Sequence, residues 1–214
     1  AQRGKPLVIT TGSDLFRIAN PAMHRFSSIM YWHSLLFNGL TRYNVKMEAV
    51  PDLAKSWTIS EDGLTYTFNL RKDVKWADGA PFTADDVKFT YELLLHPDNR
   101  GGRNHLQYFI HVLGASAYRA RKVDSLKGVE VLGPHRVRVR LSRRYAPFII
   151  SSASWAIVPK HILGNVPVKT MGKHPFMHKP VGTGPYVLKS WKSRARTVLV
   201  RNPNYFGRKP GIEK

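Results

Sequence analysis

The sequence predicts an α/β fold, because it combines two amphipathic helix patterns with three β-hairpin patterns. In the helix patterns, apolar residues recur at three- and four-residue spacings, as they do in a helix with one buried face. In the hairpin patterns, short segments of alternating apolar and polar residues flank polar turns. The 214 residues are 43% hydrophobic, which is enough for a substantial core.

The first expected elements are a short strand at 7–10 and an amphipathic helix at 26–40. The strand is an apolar run that ends in polar turn residues. Gly39 lies near the end of the helix, where a glycine commonly stops one. The buried face of this helix should consist of Ile29, Met30, Trp32, Leu35, Leu36 and Leu40.

The first hairpin is predicted at 57–70 from a turn and an alternating strand. Asp62 and Gly63 form a dipeptide that favours the left-handed backbone of a tight turn. After the turn, Tyr66, Phe68 and Leu70 alternate with polar residues. This strand should therefore be buried on one face.

The second helix should begin after Thr83 and end at about Leu95, before Pro97. Thr83 is a suitable N-cap, and Asp86, three residues later, completes a capping box. The core-facing residues of this helix should be Val87, Tyr91, Leu94 and Leu95.

Two further hairpins are predicted at 128–141 and 187–201, with a short helix at 146–152 between them. Alternation divides the second strand of the 128–141 hairpin into an apolar face and a basic face. The apolar face carries Val137, Val139 and Leu141, and the basic face carries Arg136, Arg138 and Arg140.

The formal charge is +20, and it is concentrated in the second half of the chain. Residues 1–100 contain 12 Lys/Arg and 11 Asp/Glu, whereas residues 101–214 contain 22 and 3. Such asymmetry indicates an anionic partner: nucleic acid, an anionic envelope surface or an acidic missing domain. No recognised nucleic-acid module surrounds these cations, so nucleic acid is the less favoured partner.

The sequence contains no catalytic or metal-binding motif. It lacks a G-x-S-x-G elbow, a phosphate loop and H-E-x-x-H, and it has no Cys for a nucleophile or a metal thiolate. His174 and His178 have helical metal-site spacing, but Pro175 and Pro180 indicate a surface loop. The acidic pairs at 61–62 and 85–86 fall at a turn and a helix start, where both are structural. We therefore expect no cofactor, no metal and no enzymatic activity.

Several sequence blocks resemble the ABC importer solute receptors for oligopeptides, dipeptides and nickel complexes. The first are P-D-L-A-K-S-W at 51–57, D-G-L-T-Y-T-F-N-L-R at 62–71 and V-K-W-A-D-G-A-P-F-T-A-D-D-V at 74–87. The later ones are V-P-K-H-I-L at 158–163, P-V-G-T-G-P-Y at 180–186 and R-N-P-N-Y-F-G-R-K-P at 201–210. The resemblance begins at about residue 36 and is weakest at 97–127 and 164–178.

This resemblance implies a periplasmic-binding-protein-like fold of type II, family 5. Residues 1–45 and 176–214 would form the mixed sheet of the first lobe, and residues 46–175 an inserted α+β subdomain. Family members are more than twice as long as this chain. The second lobe, which completes the binding site in the family, should therefore be missing here.

The resemblance also implies a receptor that binds oligopeptides or dipeptides outside the cytoplasmic membrane without making or breaking bonds. Its partners would be a peptide-like solute, the permease subunits of an ABC importer and the missing second lobe. It would lie in the periplasm or at the outer face of the cytoplasmic membrane, with its signal segment already removed. The alternatives are a receptor for a nickel chelate or another small solute, and a basic protein that binds nucleic acid or an anionic surface.

By the same resemblance, first-lobe contacts to the solute should come from the segment before the first helix and from the region around residue 105. The candidate residues are Met23, His24, Arg25, Phe26, Ser27, His105 and Tyr108. Arg25 could pair with a carboxylate, and Phe26 and Tyr108 could cover apolar groups. In the structural alternative, Phe26 is a core residue and Arg25 is solvated at the start of the helix.

Overall fold

The computed structural model describes residues 20–23, 30–99, 106–192 and 195–212. The strand predicted at 7–10 and the first residues of the helix predicted at 26–40 lie outside these ranges. None of the helices within the described ranges has the length and apolar character needed to cross a bilayer.

The described residues form short helices and short strands. The helices are α1 (Met30–Leu36), α2 (Ala84–Leu95), α3 (Leu106–Phe109), α4 (Ala115–Arg119), α5 (Phe148–Ser151) and α6 (Lys160–Leu163). The strands are β1 (Thr41–Tyr43), β2 (Ala49–Pro51), β3 (Ala54–Ile59), β4 (Thr65–Leu70), β5 (Val129–Gly133), β6 (Arg136–Arg140), β7 (Tyr186–Lys192) and β8 (Arg196–Arg201). The short helix predicted at 146–152 is confirmed as α5.

A four-stranded antiparallel sheet, in the order β3-β4-β6-β5, forms one side of the core. The hairpins predicted at 57–70 and 128–141 are its two halves, and both are confirmed. The structure adds the pairing between the hairpins, in which Phe68 lies opposite Val137. Both side chains are buried, as the alternating pattern predicted.

Helix α2 packs against this sheet with the predicted bounds and the predicted buried face. The residues expected in the core, Val87, Tyr91, Leu94 and Leu95, are all buried. At the start of the helix, the backbone N–H of Thr83 donates to the Asp86 carboxylate at 2.9 Å. This hydrogen bond satisfies a donor that the first turn of the helix would leave unpaired.

Helix α1 is shorter than predicted: it ends at Leu36 rather than at Leu40. The cause is packing, because Phe37, Gly39 and Leu40 are buried in an irregular segment. A Cβ on Gly39 would lie 2.5 Å from the carbonyl carbon and oxygen of Ser154. Gly39 therefore permits a close backbone approach, and its predicted role as a helix stop was wrong.

Two antiparallel strand pairs lie outside the four-stranded sheet. The β7–β8 pair confirms the third predicted hairpin, and α1 packs on β7. The β1–β2 pair was not predicted. All strand pairings among the described residues are antiparallel. The mixed first-lobe sheet stays a prediction, because the strand expected at 7–10 lies outside the described residues.

The segment containing His174 and His178 forms 3-10 turns, Met171–Lys173 and Pro175–Met177, in place of the predicted loop. The His174 ring accepts a hydrogen bond from the Phe176 N–H at 3.2 Å. His178 stacks on Trp191, with 5.2 Å between ring centroids. Pro175 is accommodated because the first turn of a 3-10 helix needs no N–H donor there.

Candidate functional site

Two of the seven candidate site residues, Met23 and Tyr108, lie within the described part of the chain. The other candidates, His24, Arg25, Phe26, Ser27 and His105, fall outside it. The structure therefore gives the surroundings of the two residues at the borders of the predicted site.

Met23 is half-buried at the end of a tight turn that is fixed to the C-terminal end of α2. Within the turn, the Met23 N–H donates to the Asn20 carbonyl oxygen at 3.1 Å. The Asn99 side chain donates to the carbonyl oxygens of Ala22, at 2.8 Å, and Leu93, at 2.9 Å. Asn99 is buried and holds the turn against the last turn of the helix.

Tyr108 is half-buried on α3, and its backbone is fixed to the segment after α5. The Ser152 hydroxyl donates to the Tyr108 carbonyl oxygen at 2.6 Å. The adjacent Phe109 ring packs edge-on against Tyr91 of α2, with 5.1 Å between centroids. Met23 and Tyr108 are thus both tied to α2, the first at its C-terminal end and the second through Tyr91.

A buried polar junction, not predicted from the sequence, joins three distant segments. The Asn38 Nδ2 lies 3.0 Å from each carboxylate oxygen of Asp52. The Thr183 hydroxyl donates to the Asn38 Oδ1 at 3.1 Å. All three residues are buried. We call Asn38, Asp52 and Thr183 the buried junction.

Burial raises the pKa of Asp52 to about 6. The hydrogen bond from Asn38 and the charges of Arg42 and Arg71 act in the opposite direction, but burial dominates. Burial also raises the pKa of Tyr205, and the nearby charge of Asp52 adds to this effect. Burial at the junction therefore disfavours the charged form of the Asp52 carboxylate, and the hydrogen bond from Asn38 offsets part of this effect.

Gly182 and Gly184 bring the junction against the end of α1. The Gly184 N–H donates to the Leu36 carbonyl oxygen at 2.9 Å. A Cβ on Gly184 would lie 2.5 Å from the Leu36 carbonyl carbon, and one on Gly182 would overlap the Leu36 oxygen. The backbone path through these two glycines is tight because the α1 backbone lies directly beside it.

Two asparagines after β8 join the last sequence block to the earlier ones. Asn202 donates from Nδ2 to the Gly184 carbonyl oxygen at 2.8 Å. Asn204 donates to the carbonyl oxygens of Ala77, at 3.2 Å, and Trp76, at 3.4 Å. The blocks at 51–57, 74–87, 180–186 and 201–210 therefore meet in one place.

The acidic pair at 85–86 joins α2 to α6. The buried Asp86 carboxylate accepts from the Lys160 backbone N–H at 2.9 Å, in addition to its bond from Thr83. Asp85 is exposed and pairs with the Lys160 Nζ at 2.9 Å. Both carboxylates thus have structural partners, as the sequence predicted. Within the described ranges, no three His, Asp or Glu side chains are grouped to hold a metal.

Comparison with known proteins identifies the family to which this arrangement belongs. Residues 48–214 match the model of the bacterial extracellular solute-binding proteins, family 5. The chain belongs to this family. The predicted family is therefore confirmed, over more than three quarters of the sequence.

Relatives of this family 5 chain include both peptide- and nickel-binding proteins. It is 35% identical over 182 residues to the oligopeptide-binding protein AppA of Bacillus subtilis, covering 84% of this chain and 31% of AppA. It is 32% identical over 188 residues to the nickel-binding periplasmic protein of Escherichia coli, covering 86% of this chain and 32% of that protein. The chain thus spans about one third of the length of these relatives.

Solved structures confirm the periplasmic-binding-protein fold of this family 5 chain. The AppA structure in complex with a nonapeptide has a TM-score of 0.78 and 30% identity, covering 90% of this chain and 36% of AppA. The structure of NikZ from Campylobacter jejuni in complex with Ni(L-His) has a TM-score of 0.74 and 36% identity, covering 90% of this chain and 34% of NikZ.

Proposed function

We propose that this chain is the first-lobe portion of a receptor that binds an oligopeptide or dipeptide and delivers it to an ABC importer. The observation that carries the proposal is the shared fold with AppA, whose solved structure holds a nonapeptide. The receptor would close two lobes around the solute. The solute would shift the population towards the closed state, because it binds that state more tightly than the open one.

The first-lobe wall of the binding site would run from Met23 to Tyr108 and include the five candidate residues between the described ranges. Two contacts support this placement: Asn99 holds the turn that ends at Met23, and Ser152 holds the backbone of Tyr108. A wall held by buried side chains loses little conformational freedom when a solute binds. The residues 1–45 and 176–214 would form the first-lobe sheet, and residues 46–175 the inserted subdomain.

The receptor would act without chemistry, in the periplasm or at the outer face of the cytoplasmic membrane. Its partners would be the peptide, the permease subunits of the importer and the second lobe. In support, the acidic side chains at 52, 85 and 86 are all engaged in contacts that hold the fold together. Its relatives are named for the solutes they bind.

A nickel chelate is the second candidate solute, and a specific observation favours it. NikZ, solved with Ni(L-His), is 36% identical to this chain. Both candidates use the same lobe, so they differ only in what the site between the lobes accepts.

Titration calorimetry on the two-lobed protein distinguishes the two solutes. We expect heat on addition of a defined peptide mixture and none with a nickel–histidine complex. The variant Tyr108→Ala should weaken peptide binding about tenfold, a loss of about 1.4 kcal/mol. The matched control is Tyr118→Ala, which removes the half-buried tyrosine of α4. The ring of this tyrosine packs against His96 at the end of α2. Binding of the nickel complex alone would favour the second candidate, and binding of neither would refute both.

A further inference from the structure

The outer face of the four-stranded sheet is polar, and the strand register defines it. Val137 and Val139 point into the core, so their neighbours on β6 point outward. We define the outer face by the paired residues of the two central strands: Thr65 opposite Arg140, Thr67 opposite Arg138 and Asn69 opposite Arg136.

Three arginines form a straight row along this face. Because they occupy alternate positions of one strand, their Cα atoms are about 7 Å apart. Glu130, which lies opposite Arg138 on β5, accepts from Arg138 at 3.1 Å and from Arg140 at 3.0 Å. Two of the three guanidinium groups, those of Arg138 and Arg140, thus share one carboxylate, and the row together with Glu130 keeps an excess of two positive charges.

The charge at one end of the sheet is more nearly balanced, which concentrates the excess on the row itself. Glu61 and Asp62 lie in the β3–β4 turn, and the Arg144 Nε donates to the Asp62 carbonyl oxygen at 2.6 Å. Arg143 is engaged with the His111 ring at 3.1 Å. Arg143 and Arg144 thus have partners beyond the end of the strands, whereas Arg136 has no ion pair within the described ranges.

The side chains beside the row are hydrogen-bonding groups. The hydroxyls of Thr65 and Thr67 and the amide of Asn69 stand next to the guanidinium groups. Asn69 is ordered by its hydrogen bond to the Ser56 hydroxyl at 3.1 Å. Guanidinium groups bind phosphate oxygens through paired hydrogen bonds, and neighbouring hydroxyls can donate to the same anion.

We propose that this outer face binds the surface of an anionic lipid bilayer through the phosphates of acidic headgroups. The face is broad and carries its cations in a row, which suits an extended anionic surface better than a small anion. The six defining residues include no aromatic ring on which unpaired bases could stack. The central strands of a four-stranded sheet also cannot enter a major groove, which admits a helix or a two-stranded ribbon.

The overall charge of +20 supports the same partner, because it attracts the protein to an anionic bilayer at long range. Contact through the outer face would hold the protein at the membrane in one orientation. This inference is independent of the solute that the receptor binds.

Co-sedimentation of the 214-residue chain with lipid vesicles tests the proposal. The vesicles contain phosphatidylcholine, either alone or with about one third phosphatidylglycerol. We expect binding to the anionic vesicles only, weakened by added salt. The triple variant Arg136→Gln, Arg138→Gln, Arg140→Gln should lower the affinity on the order of 100-fold, because each basic residue near the surface contributes about fivefold.

A matched triple variant separates the outer face from net charge. Lys46→Gln, Arg208→Gln, Lys209→Gln removes the same charge from exposed positions outside the sheet and should lower the affinity less than about tenfold. Glu130→Gln removes the carboxylate from the face and should raise the affinity about fivefold. Circular dichroism of the Glu130→Gln variant should match that of the native chain, so that a gain of binding reports on the outer face and not on unfolding.

Three outcomes would overturn the proposal. The first is equal loss of binding in the two triple variants, which would mean that net charge alone acts. The second is binding to phosphatidylcholine alone. The third is tighter binding of duplex DNA than of anionic vesicles at the same salt concentration, provided that the triple variant of Arg136, Arg138 and Arg140 no longer binds the DNA. That result would assign the face to nucleic acid.

Discussion

Asn38 holds the carboxylate of Asp52 from a single nitrogen, which lies 3.0 Å from both of its oxygens. This contact joins the end of the α1 segment to the start of β3. Through the Thr183 hydroxyl, it also joins the segment before β7. The hydrogen bonds offset part of the desolvation cost of the carboxylate, but its pKa remains raised to about 6.

The first prediction concerns pH and follows from this raised pKa. The folded protein binds a proton at Asp52 more tightly than the unfolded chain does, so the contribution of this group to stability is largest below pH 4. It is lost as the pH rises to about 6. The shift of about two pKa units corresponds to at most about 3 kcal/mol.

Urea unfolding of the native chain and of Asp52→Asn at several pH values between about 4 and 7.5 measures this effect. The free energy of unfolding of the native chain should fall, relative to that of the variant, as the pH rises. A difference that stays constant across this range would contradict the raised pKa.

The second prediction concerns the approach of Gly182 to α1. A methyl group on Gly182 would overlap the Leu36 carbonyl oxygen, so Gly182→Ala should destabilise the protein by about 3 kcal/mol or more. Gly172→Ala is the control, because a Cβ there meets nothing within 4 Å and its effect should stay within about 0.5 kcal/mol. Thermal unfolding of both variants gives the comparison. Equal melting temperatures would show that the α1 end and the 182–184 segment move apart easily.

The third prediction distinguishes two adjacent carboxylates. Asp86 is buried and accepts two backbone hydrogen bonds, so Asp86→Ala should cost about 2–4 kcal/mol by leaving both donors unpaired. Asp85 is exposed and forms only a surface pair with Lys160, so Asp85→Ala should cost less than about 1 kcal/mol. Denaturant unfolding of the two variants measures both changes in the free energy of unfolding. Equal losses of stability would mean that the buried hydrogen bonds of Asp86 contribute little.

Local sequence patterns predicted an element correctly where a turn or cap residue and the periodicity of the apolar residues next to it determine the structure. The 57–70 hairpin and α2 are examples, since Gly63 has the left-handed φ of 69° that its turn requires and Thr83 starts the helix. The pairing of β4 with β6 could not be predicted in this way, because 60 or more residues separate the partners and no local signal gives their register.

The candidate site was harder to predict than the fold for the same reason. Gly39 carries the ordinary signal of a helix stop, but its role depends on Ser154, which lies far along the chain. The buried junction likewise depends on contacts between residues 38, 52 and 183. Only the family resemblance grouped those sequence blocks before the structure did, and it gave candidate residues for the binding wall without their contacts.

The last prediction tests whether the turn at 20–23 supports the binding wall. Asn99→Ala removes the side-chain hydrogen bonds to Ala22 and Leu93, and so frees the turn that ends at Met23. In the two-lobed protein, we expect faster hydrogen exchange around residues 20–23 and about tenfold weaker peptide binding, because the solute must then order the wall. Asn44→Ala is the control: its side chain holds the β1–β2 turn by accepting from the Lys46 and Glu48 N–H groups, at a place outside the proposed wall. If both variants exchange faster at their own turns but bind peptide equally well, the turn that carries Met23 is not part of the binding wall, and the first-lobe contacts must come from elsewhere.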